Sequence, residues 1–199
     1  ATGNVGKSLA FDPTSVNTYL SRDAGVTWEE IVKGPHIYEF GNNGGLIVIG
    51  KMSSLGTTNK IQFSRDLGRC WEDLQLSQTI SIHNIRSDPG GKGDVFIVRG
   101  SIDDGTADGD ADGVMFTIDF NSLLQKDANG AATYAWSPPR CEPKDYEQWA
   151  ATSPNPDKCI LGRNATFTRR MRDPTSACLN RADYVRPEPV TKACECSEQ

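Results

Sequence analysis

The segment that decides the fold occurs twice, as Ser21-Arg-Asp-Ala-Gly-Val-Thr-Trp28 and, 43 residues later, as Ser64-Arg-Asp-Leu-Gly-Arg-Cys-Trp71. A repeat period of roughly 40–50 residues is typical of β-propellers, in which each blade is a sheet of four antiparallel strands. The sequence therefore predicts an all-β chain that contains propeller blades.

The repeated segment is an Asp box, and its side chains have structural tasks. The aspartate accepts hydrogen bonds from backbone N–H groups of its own turn, as in an Asx turn. The glycine supplies the positive φ of a tight hairpin, and the tryptophan is a large apolar anchor that packs over the turn. Because the aspartates are occupied by their own turns, we expect structural rather than catalytic roles for the box residues. These are Ser21, Asp23, Gly25, Thr27, Trp28, Ser64, Asp66, Gly68 and Trp71.

Short apolar runs around the two Asp boxes predict the strands of the blades. They lie at residues 17–20, 28–32, 36–40, 46–49, 60–63, 71–76, 80–85, 94–98 and 114–120. Residues 34–77 make one complete blade, with a hairpin turn at residues 42–45. The next blade lacks an Asp box and an obvious fourth strand. Residues 1–137 hold at most three blades, whereas a closed propeller needs about four or more, so we expect a fragment of a larger propeller.

Composition and charge exclude several classes of protein. The chain has 199 residues, of which 37% are hydrophobic and 24% charged, and its net charge is −5. No stretch is rich in lysine and arginine, which argues against nucleic acid as a partner. The longest purely apolar run, residues 46–49, is too short to span a membrane, and no N-terminal signal peptide is visible. Two histidines, His36 and His83, limit histidine-based catalysis and zinc binding, and we expect no cofactor.

The cysteines indicate an oxidising compartment. Cys141, Cys159, Cys178 and Cys194 are separated by 18, 19 and 16 residues, rather than by the short spacings of a zinc site. This pattern predicts a disulfide framework. Asn164 begins an Asn-Ala-Thr glycosylation acceptor, which agrees with that location. Residues 138–199 contain little apolar material and need such covalent links, so we place a domain boundary after residue 137.

Together with the Asp boxes, two further segments carry a resemblance to a known family. They are Cys141-Glu-Pro-Lys-Asp-Tyr-Glu-Gln-Trp149 and Cys159-Ile-Leu-Gly162. On these residues the chain resembles the sortilin family of sorting receptors, whose Vps-ten domain is a ten-bladed propeller followed by a cysteine-rich module. The resemblance implies that residues 1–137 are the last blades and that residues 138–199 are the first part of the module, truncated.

The resemblance also implies a disulfide pattern. Four cysteines allow three pairings, of which the family pattern selects Cys141–Cys178 and Cys159–Cys194. Cys70 is then expected to pair upstream of this chain and Cys196 downstream of it. The chain stops within this cysteine cluster, which agrees with the expectation of a fragment.

The function that the resemblance implies is that of a receptor and not of an enzyme. Family members are type I membrane proteins that bind peptide or protein cargo in their lumenal domain and carry it between Golgi and endosomal or vacuolar compartments. The expected partners are such cargo and the remainder of the same receptor, with membrane contact only through a segment absent here. No residue of this sequence matches the family's cargo clamp, so none is assigned to cargo.

A sialidase-like glycosidase is the alternative function, because such enzymes also contain Asp boxes. Their chemistry needs an arginine cluster for the substrate carboxylate and acidic residues that work with a tyrosine nucleophile. The candidates Arg86, Arg99, Tyr38 and Glu39 show no such arrangement in the sequence. Arg86 and Arg99 are more simply interpreted as charges at the rim or at strand ends.

Two charged segments allow either a binding site or a plain surface. Asp108, Asp110 and Asp112 have the ligand spacing of a calcium loop, but a solvated acidic hairpin tip is the favoured interpretation. Residues 169–172, Arg-Arg-Met-Arg, are interpreted as a solvated strand rather than as a site for an anionic partner. Trp149 is expected in the small core of the C-terminal module.

Overall fold

The computed structural model shows an almost entirely β protein. It describes residues 1–9, 12–102, 112–121, 123–126, 129, 132–150, 159–160, 162–171 and 177–194. The strands are β1 (Thr2–Gly3), β2 (Asn17–Leu20), β3 (Glu29–Val32), β4 (His36–Gly41), β5 (Leu46–Lys51), β6 (Thr58–Ser64), β7 (Glu72–Arg86), β8 (Val95–Ile102), β9 (Asp112–Asp119), β10 (Leu123–Lys126), β11 (Ala132–Trp136), β12 (Tyr146–Ala150), β13 (Arg163–Arg170) and β14 (Val190–Ala193). Neighbouring strands in the sheets run antiparallel, and the predicted all-β class is confirmed. No helical turn within these ranges has the length and apolar character needed to cross a bilayer.

The largest sheet has six strands in the order β4-β5-β6-β7-β8-β9. Its central strand, β7, is 15 residues long: its first part pairs with β6, where Phe63 faces Glu72, and its second part pairs with β8, where Ile85 faces Val98. The sequence predicted two separate strands, at residues 71–76 and 80–85. That prediction is wrong, because a single strand covers both segments. Residues 77–79 contain neither glycine nor proline, so nothing in their backbone stops the strand between the two halves.

The hydrophobic core lies on both sides of β5. Leu46 and Val48 belong to the main buried cluster, in which the rings of Phe63 and Phe96 lie 5.0 and 5.3 Å from that of Phe120. The alternate residues of β5 turn to a smaller cluster against the three-stranded sheet β1-β2-β3. Because both faces of β5 are buried, the strand reads as a continuous apolar run rather than as an alternating one.

The turn between β4 and β5 connects the blades to the C-terminal module. Gly41 pairs with Leu46, which confirms the hairpin predicted at residues 42–45. The fully buried Asn42 side chain donates from Nδ2 to the Asn180 carbonyl (3.0 Å) and accepts from the Asn180 N–H (2.8 Å). This reciprocal pair joins residues that are 138 positions apart in the chain, and it docks the module on the hairpin.

The C-terminal module contains more regular structure than its sequence suggested. β12, β13 and β14 form a three-stranded sheet, and β10 and β11 form a separate hairpin before it. Disulfides join Cys141 to Cys178 and Cys159 to Cys194, the pairs that the resemblance implies. Cys70 is exposed and forms no disulfide within the described ranges. Asp108, Asp110 and Cys196, singled out above, lie outside the described residues, whereas Asp112 begins β9.

Candidate functional site

The first Asp box is closed by hydrogen bonds among its own residues. The Ser21 hydroxyl donates to Asp23 Oδ1 (2.9 Å) and accepts from the Gly25 N–H (2.7 Å). The Asp23 carboxylate in turn accepts from the Thr27 N–H (2.8 Å) and the Thr27 hydroxyl (2.5 Å). These Thr27 bonds favour the charged form and lower the pKa of Asp23 to about 2. The carboxylate is thus committed to the turn.

The second Asp box repeats this geometry with cysteine at the threonine position. Asp66 accepts from the backbone N–H groups of Arg69 (3.0 Å) and Cys70 (3.0 Å), and the Ser64 hydroxyl donates to it (2.8 Å). Burial opposes ionisation, but the bonds from Cys70 and Ser64 outweigh it and lower the pKa of Asp66. The aspartates of the two boxes therefore have equivalent structural surroundings.

The backbone of both boxes uses two left-handed residues where the sequence suggested one. Ala24 and Gly25 have φ of 60° and 90°, and Leu67 and Gly68 have φ of 62° and 78°. The glycine of the second box is also closely packed, since a Cβ on Gly68 would lie 2.5 Å from Leu20 Cδ2 and would force that side chain to shift. The Trp28 side chain remains 53% exposed over its turn, so it anchors the first box less completely than expected.

A cavity of about 180 Å³, called here the interface cavity, lies where the blades meet the module. Its blade side consists of the end of β2, the β4–β5 hairpin and residues of both Asp boxes, and its module side of Tyr146, the end of β13 and residues between 180 and 186. Apolar side chains and four arginines share the lining. These are Leu20, Phe40, Ile47 and Leu67, together with Arg22, Arg169, Arg170 and Arg186.

Two of the four arginines are occupied by carboxylates and by structural links. Arg22 donates to the carbonyls of Leu67 (2.6 Å) and Gly68 (3.0 Å) in the second box and pairs with Glu29. Arg169 pairs with Glu147 (2.8 Å) and donates to the backbone carbonyl of Arg22 (2.9 Å). These contacts tie the two boxes to each other and to β13.

Arg170 is the buried exception, with 6% of its surface exposed. Its Nη1 donates to the Cys178 carbonyl (3.0 Å) and contacts Cys141 Sγ (2.7 Å), whereas its Nε has no partner among the described residues. Burial lowers the pKa of Arg170, as desolvation of a cation must. The interpretation of residues 169–172 as a solvated strand is thus wrong for Arg170. Adjacent residues of a strand face opposite sides, and Arg170 faces inward, behind the Cys141–Cys178 disulfide.

Asn180 and two tyrosines complete the polar wall beside Arg170. The Tyr146 hydroxyl donates to Asn180 Oδ1, and the Tyr146 ring stacks on Tyr184 with centroids 5.6 Å apart. Burial raises the pKa of Tyr146 to about 12, so its hydroxyl stays protonated and keeps the Asn180 amide in one orientation. Asn180 Nδ2 is buried and has no partner in the described part of the chain.

The described residues contain one group with the composition of a metal site, and its chemistry does not fit a metal. Cys141, Asp145 and Cys178 lie together, but the two sulfurs are joined in a disulfide and are not available as thiolates. Asp145 instead accepts from the Glu142 N–H (2.8 Å) and caps a short 3₁₀ turn. This cluster is a structural corner of the module.

The remaining residues singled out in the sequence lie apart from the interface cavity. Arg86 pairs with Glu39 at 3.1 Å, and Arg99 lies opposite Met115 in the β8–β9 ladder. Trp149 contacts Phe167, with centroids 6.3 Å apart, within the module sheet. Asn164 lies in β13, opposite Lys192 of β14. The sequence analysis did not identify Arg170 or Asn180 as site residues. The signal for Arg170 was its place next to Arg169 in a strand, where adjacent side chains face opposite sides.

Comparison with known proteins identifies the family. Residues 1–85 match the family model for sortilin, neurotensin receptor 3, and residues 87–199 match the model for its C-terminal part. The vacuolar protein sorting/targeting protein 10 of Aspergillus flavus is 30% identical over 199 residues, which cover 99% of this chain and 12% of that protein. The sortilin-related receptor of Homo sapiens is 31% identical over 200 residues, which cover 100% of this chain and 8% of that protein.

The chain thus spans about an eighth or less of the length of these relatives. The two family models meet at the end of β7, inside the six-stranded sheet rather than at a gap between sheets. Both kinds of relative are sorting receptors and not enzymes, which removes the support for a sialidase. Since the C-terminal model alone matches more than half of the residues, the chain belongs to the sortilin family of sorting receptors.

Proposed function

We propose that this chain is a lumenal part of a receptor that binds peptide or protein cargo and sorts it between Golgi and endosomal or vacuolar compartments. The observation that carries the proposal is that receptors of this family match the chain over nearly its whole length. The two disulfides support a lumenal or extracellular location, because such bonds persist in oxidising compartments.

Within that receptor, the chain contributes propeller blades up to residue 137 and a disulfide-rich module after it. Trp136 supports this boundary, since its ring stacks 6.5 Å from that of Phe63 in the blade core and lies beneath Arg65 at 4.8 Å. Cys141 then opens the module with its disulfide to Cys178. The Asp-box residues serve the blades as turn-closing groups, and no cargo contact is assigned to them.

The buried contacts between the two parts make this region a rigid wall. The Asn42–Asn180 amide pair and the Arg169–Arg22 link both cross from module to blades. Polar groups that pair across a buried contact restrict relative movement, because any displacement breaks their hydrogen bonds. The region therefore supports a cargo site elsewhere in the receptor as wall and platform.

The sorting role is tested by deleting the whole receptor from the cell that makes it and assaying soluble vacuolar or lysosomal hydrolases in the medium. Secretion of hydrolases that wild-type cells retain, reversed by re-expression, is the expected result. Unchanged retention of these hydrolases contradicts the proposal.

We also propose that Asn164 carries an N-linked glycan. Treatment of the secreted lumenal domain with an endoglycosidase is expected to remove mass from the peptide that contains Asn164. Asn164→Gln serves as the control variant without the acceptor. An unmodified Asn164 peptide from the secreted wild-type domain contradicts this assignment.

A further inference from the structure

We propose that a cleft beside the second Asp box binds a neutral sugar residue, which packs on Trp71 and forms hydrogen bonds with the charged side chains around it. This cleft, called here the box cleft, has a volume of about 380 Å³. Its lining includes Arg22, Glu29, Glu30, Ile31, Arg69 and Trp71. The proposal rests on the box cleft alone and does not depend on the sorting role of the receptor.

The walls of the box cleft come from two segments that are locked together. One wall is formed by β3 and the first Asp box, and the other by the turn of the second Asp box. Arg22 donates to the carbonyls of Leu67 (2.6 Å) and Gly68 (3.0 Å) in the second box and pairs with Glu29. These contacts hold the cleft in shape before a ligand arrives, and a preformed site reduces the ordering cost of binding.

The charged groups of the box cleft offer both kinds of hydrogen-bonding partner. Arg22 and Arg69 supply N–H donors, and Glu29 and Glu30 supply carboxylate acceptors. Glu30 is itself held in place, because its Oε2 accepts from Asn17 Nδ2 (2.9 Å). A carboxylate has about four lone-pair positions, so Glu30 retains the capacity to accept bonds from a ligand.

This balance of charge favours a neutral ligand that carries hydroxyl groups. An anion that is attracted by the two arginines is repelled by the two glutamates, and the reverse holds for a cation. A hydroxyl group both donates and accepts, so it can donate to a carboxylate and accept from a guanidinium at the same time. Hydrogen bonds to charged groups are also the stronger ones. A sugar ring presents several hydroxyl groups on one rigid frame and therefore matches this lining.

The apolar part of the lining supplies a platform for the carbon face of the sugar ring. Ile31 and Trp71 are half-buried, pack against the smaller core cluster and also line the box cleft. An indole ring combines a large flat apolar surface with a polar edge. The volume of about 380 Å³ lies at the lower end of the roughly 300–1,000 Å³ of small-molecule sites. It therefore suits a mono- or disaccharide.

The test is saturation-transfer NMR on the whole lumenal domain of the receptor with the methyl glycosides of glucose, mannose and galactose. The domain is first freed of its own N-linked glycans, so that these do not compete. We expect at least one glycoside to bind with a Kd of about 10 mM or tighter. Its uronic acid and its 2-amino counterpart are expected to bind at least threefold more weakly, because each brings a charge. Absence of binding by all three glycosides, or a charged counterpart that binds as tightly as the neutral sugar, overturns the proposal.

A free saccharide and a glycan attached to a protein share this chemistry, and a second probe distinguishes them. Serum albumin coupled to the sugar that binds best is compared with uncoupled albumin. Binding of the coupled albumin alone indicates a site that accepts protein-linked glycans. Binding of the methyl glycoside without binding of the coupled albumin indicates a site for free saccharides.

Variants at equivalent positions locate the site. Trp71→Ala is expected to weaken sugar binding at least tenfold, whereas Trp28→Ala, the same change in the first Asp box, is expected to leave it unchanged. Trp28 is not among the described residues that line the box cleft.

A second pair of variants does not disturb the core. Glu29, whose side chain is 69% exposed, is replaced by alanine, and binding is expected to weaken at least threefold. Glu188→Ala, at another exposed glutamate that is not part of the described lining, is expected to have no effect. This pair decides the question if Trp71→Ala is not secreted. Equal effects within either pair overturn the assignment to the box cleft.

Discussion

The docking of the module on the β4–β5 hairpin is expected to depend on one side chain, that of Asn42. Asn42→Ala removes the acceptor of the Asn180 N–H (2.8 Å) and the donor to the Asn180 carbonyl (3.0 Å), both buried. Each buried backbone group left unpaired costs about 1–3 kcal/mol, so local opening around Asn180 becomes easier by roughly 2–6 kcal/mol. A further bond from Asn42 Nδ2 to Asp94 Oδ1 (2.5 Å) is lost as well.

The neighbouring residue provides a matched control. Asn42 and Asn43 have nearly the same left-handed backbone, with φ of 49° and 55°, so replacement by alanine imposes a similar backbone cost at both positions. The side chain of Asn43 makes no hydrogen bond within the described residues, and its N–H, which donates to the Gly91 carbonyl (2.7 Å), is retained in alanine. The difference between the two variants therefore isolates the amide pair.

The assay is hydrogen exchange at the Asn180 amide in the lumenal domain, resolved to single residues. A change of 2 kcal/mol corresponds to roughly thirtyfold faster exchange, so Asn42→Ala is expected to exceed Asn43→Ala by at least this factor. Similar exchange at Asn180 in both variants would refute the reasoning, since it would mean that the buried pair does not hold the module in place.

Three further perturbations test the Asp-box turns and one of the disulfides. Asp23→Asn is expected to lower the melting temperature more at pH 6 than at pH 2.5. The pKa of Asp23 is depressed from 3.8 to about 2 in the folded state, so the ionised carboxylate contributes stability above pH 4 that is lost as the pH falls toward 2. A loss of melting temperature that does not depend on pH contradicts this role of the carboxylate. Gly68→Ala and Gly25→Ala share a positive φ, but the new Cβ meets a leucine carbon at 2.5 Å only at Gly68, against 3.8 Å to the nearest atom at Gly25. Denaturation is therefore expected to show about 1–3 kcal/mol more destabilisation at Gly68, and equal losses contradict the clash. Replacement of both Cys141 and Cys178 by serine is expected to lower the free energy of unfolding by about 2–5 kcal/mol. Thermal unfolding of the variant is measured beside oxidised and reduced wild type. A variant as stable as the oxidised wild type shows that this disulfide does not stabilise the fold.

What the sequence determined by itself is the local part of this structure. The Asp boxes could be interpreted residue by residue because the hydrogen bonds that close each turn span no more than four positions, as from Asp23 to Thr27 and from Asp66 to Cys70. Most strand positions followed for the same reason, since pairing in hairpins is largely between neighbouring segments. The family also followed from short motifs, through the spacing of their cysteines and aromatic residues.

Only the tertiary structure decided which polar side chains are buried. Asn42 and Asn180 are 138 positions apart, and no local sequence pattern around either residue predicts that they form a pair. Arg170 stands beside Arg169 in an apparently solvated basic run, yet the pairing of β13 with β12 turns one guanidinium toward Glu147 and the other into the interior. Burial depends on which distant segments cover a strand, and this is a property of the assembled sheets rather than of any local pattern. The interface cavity, which is lined from both sides, therefore exists only once blades and module are packed together.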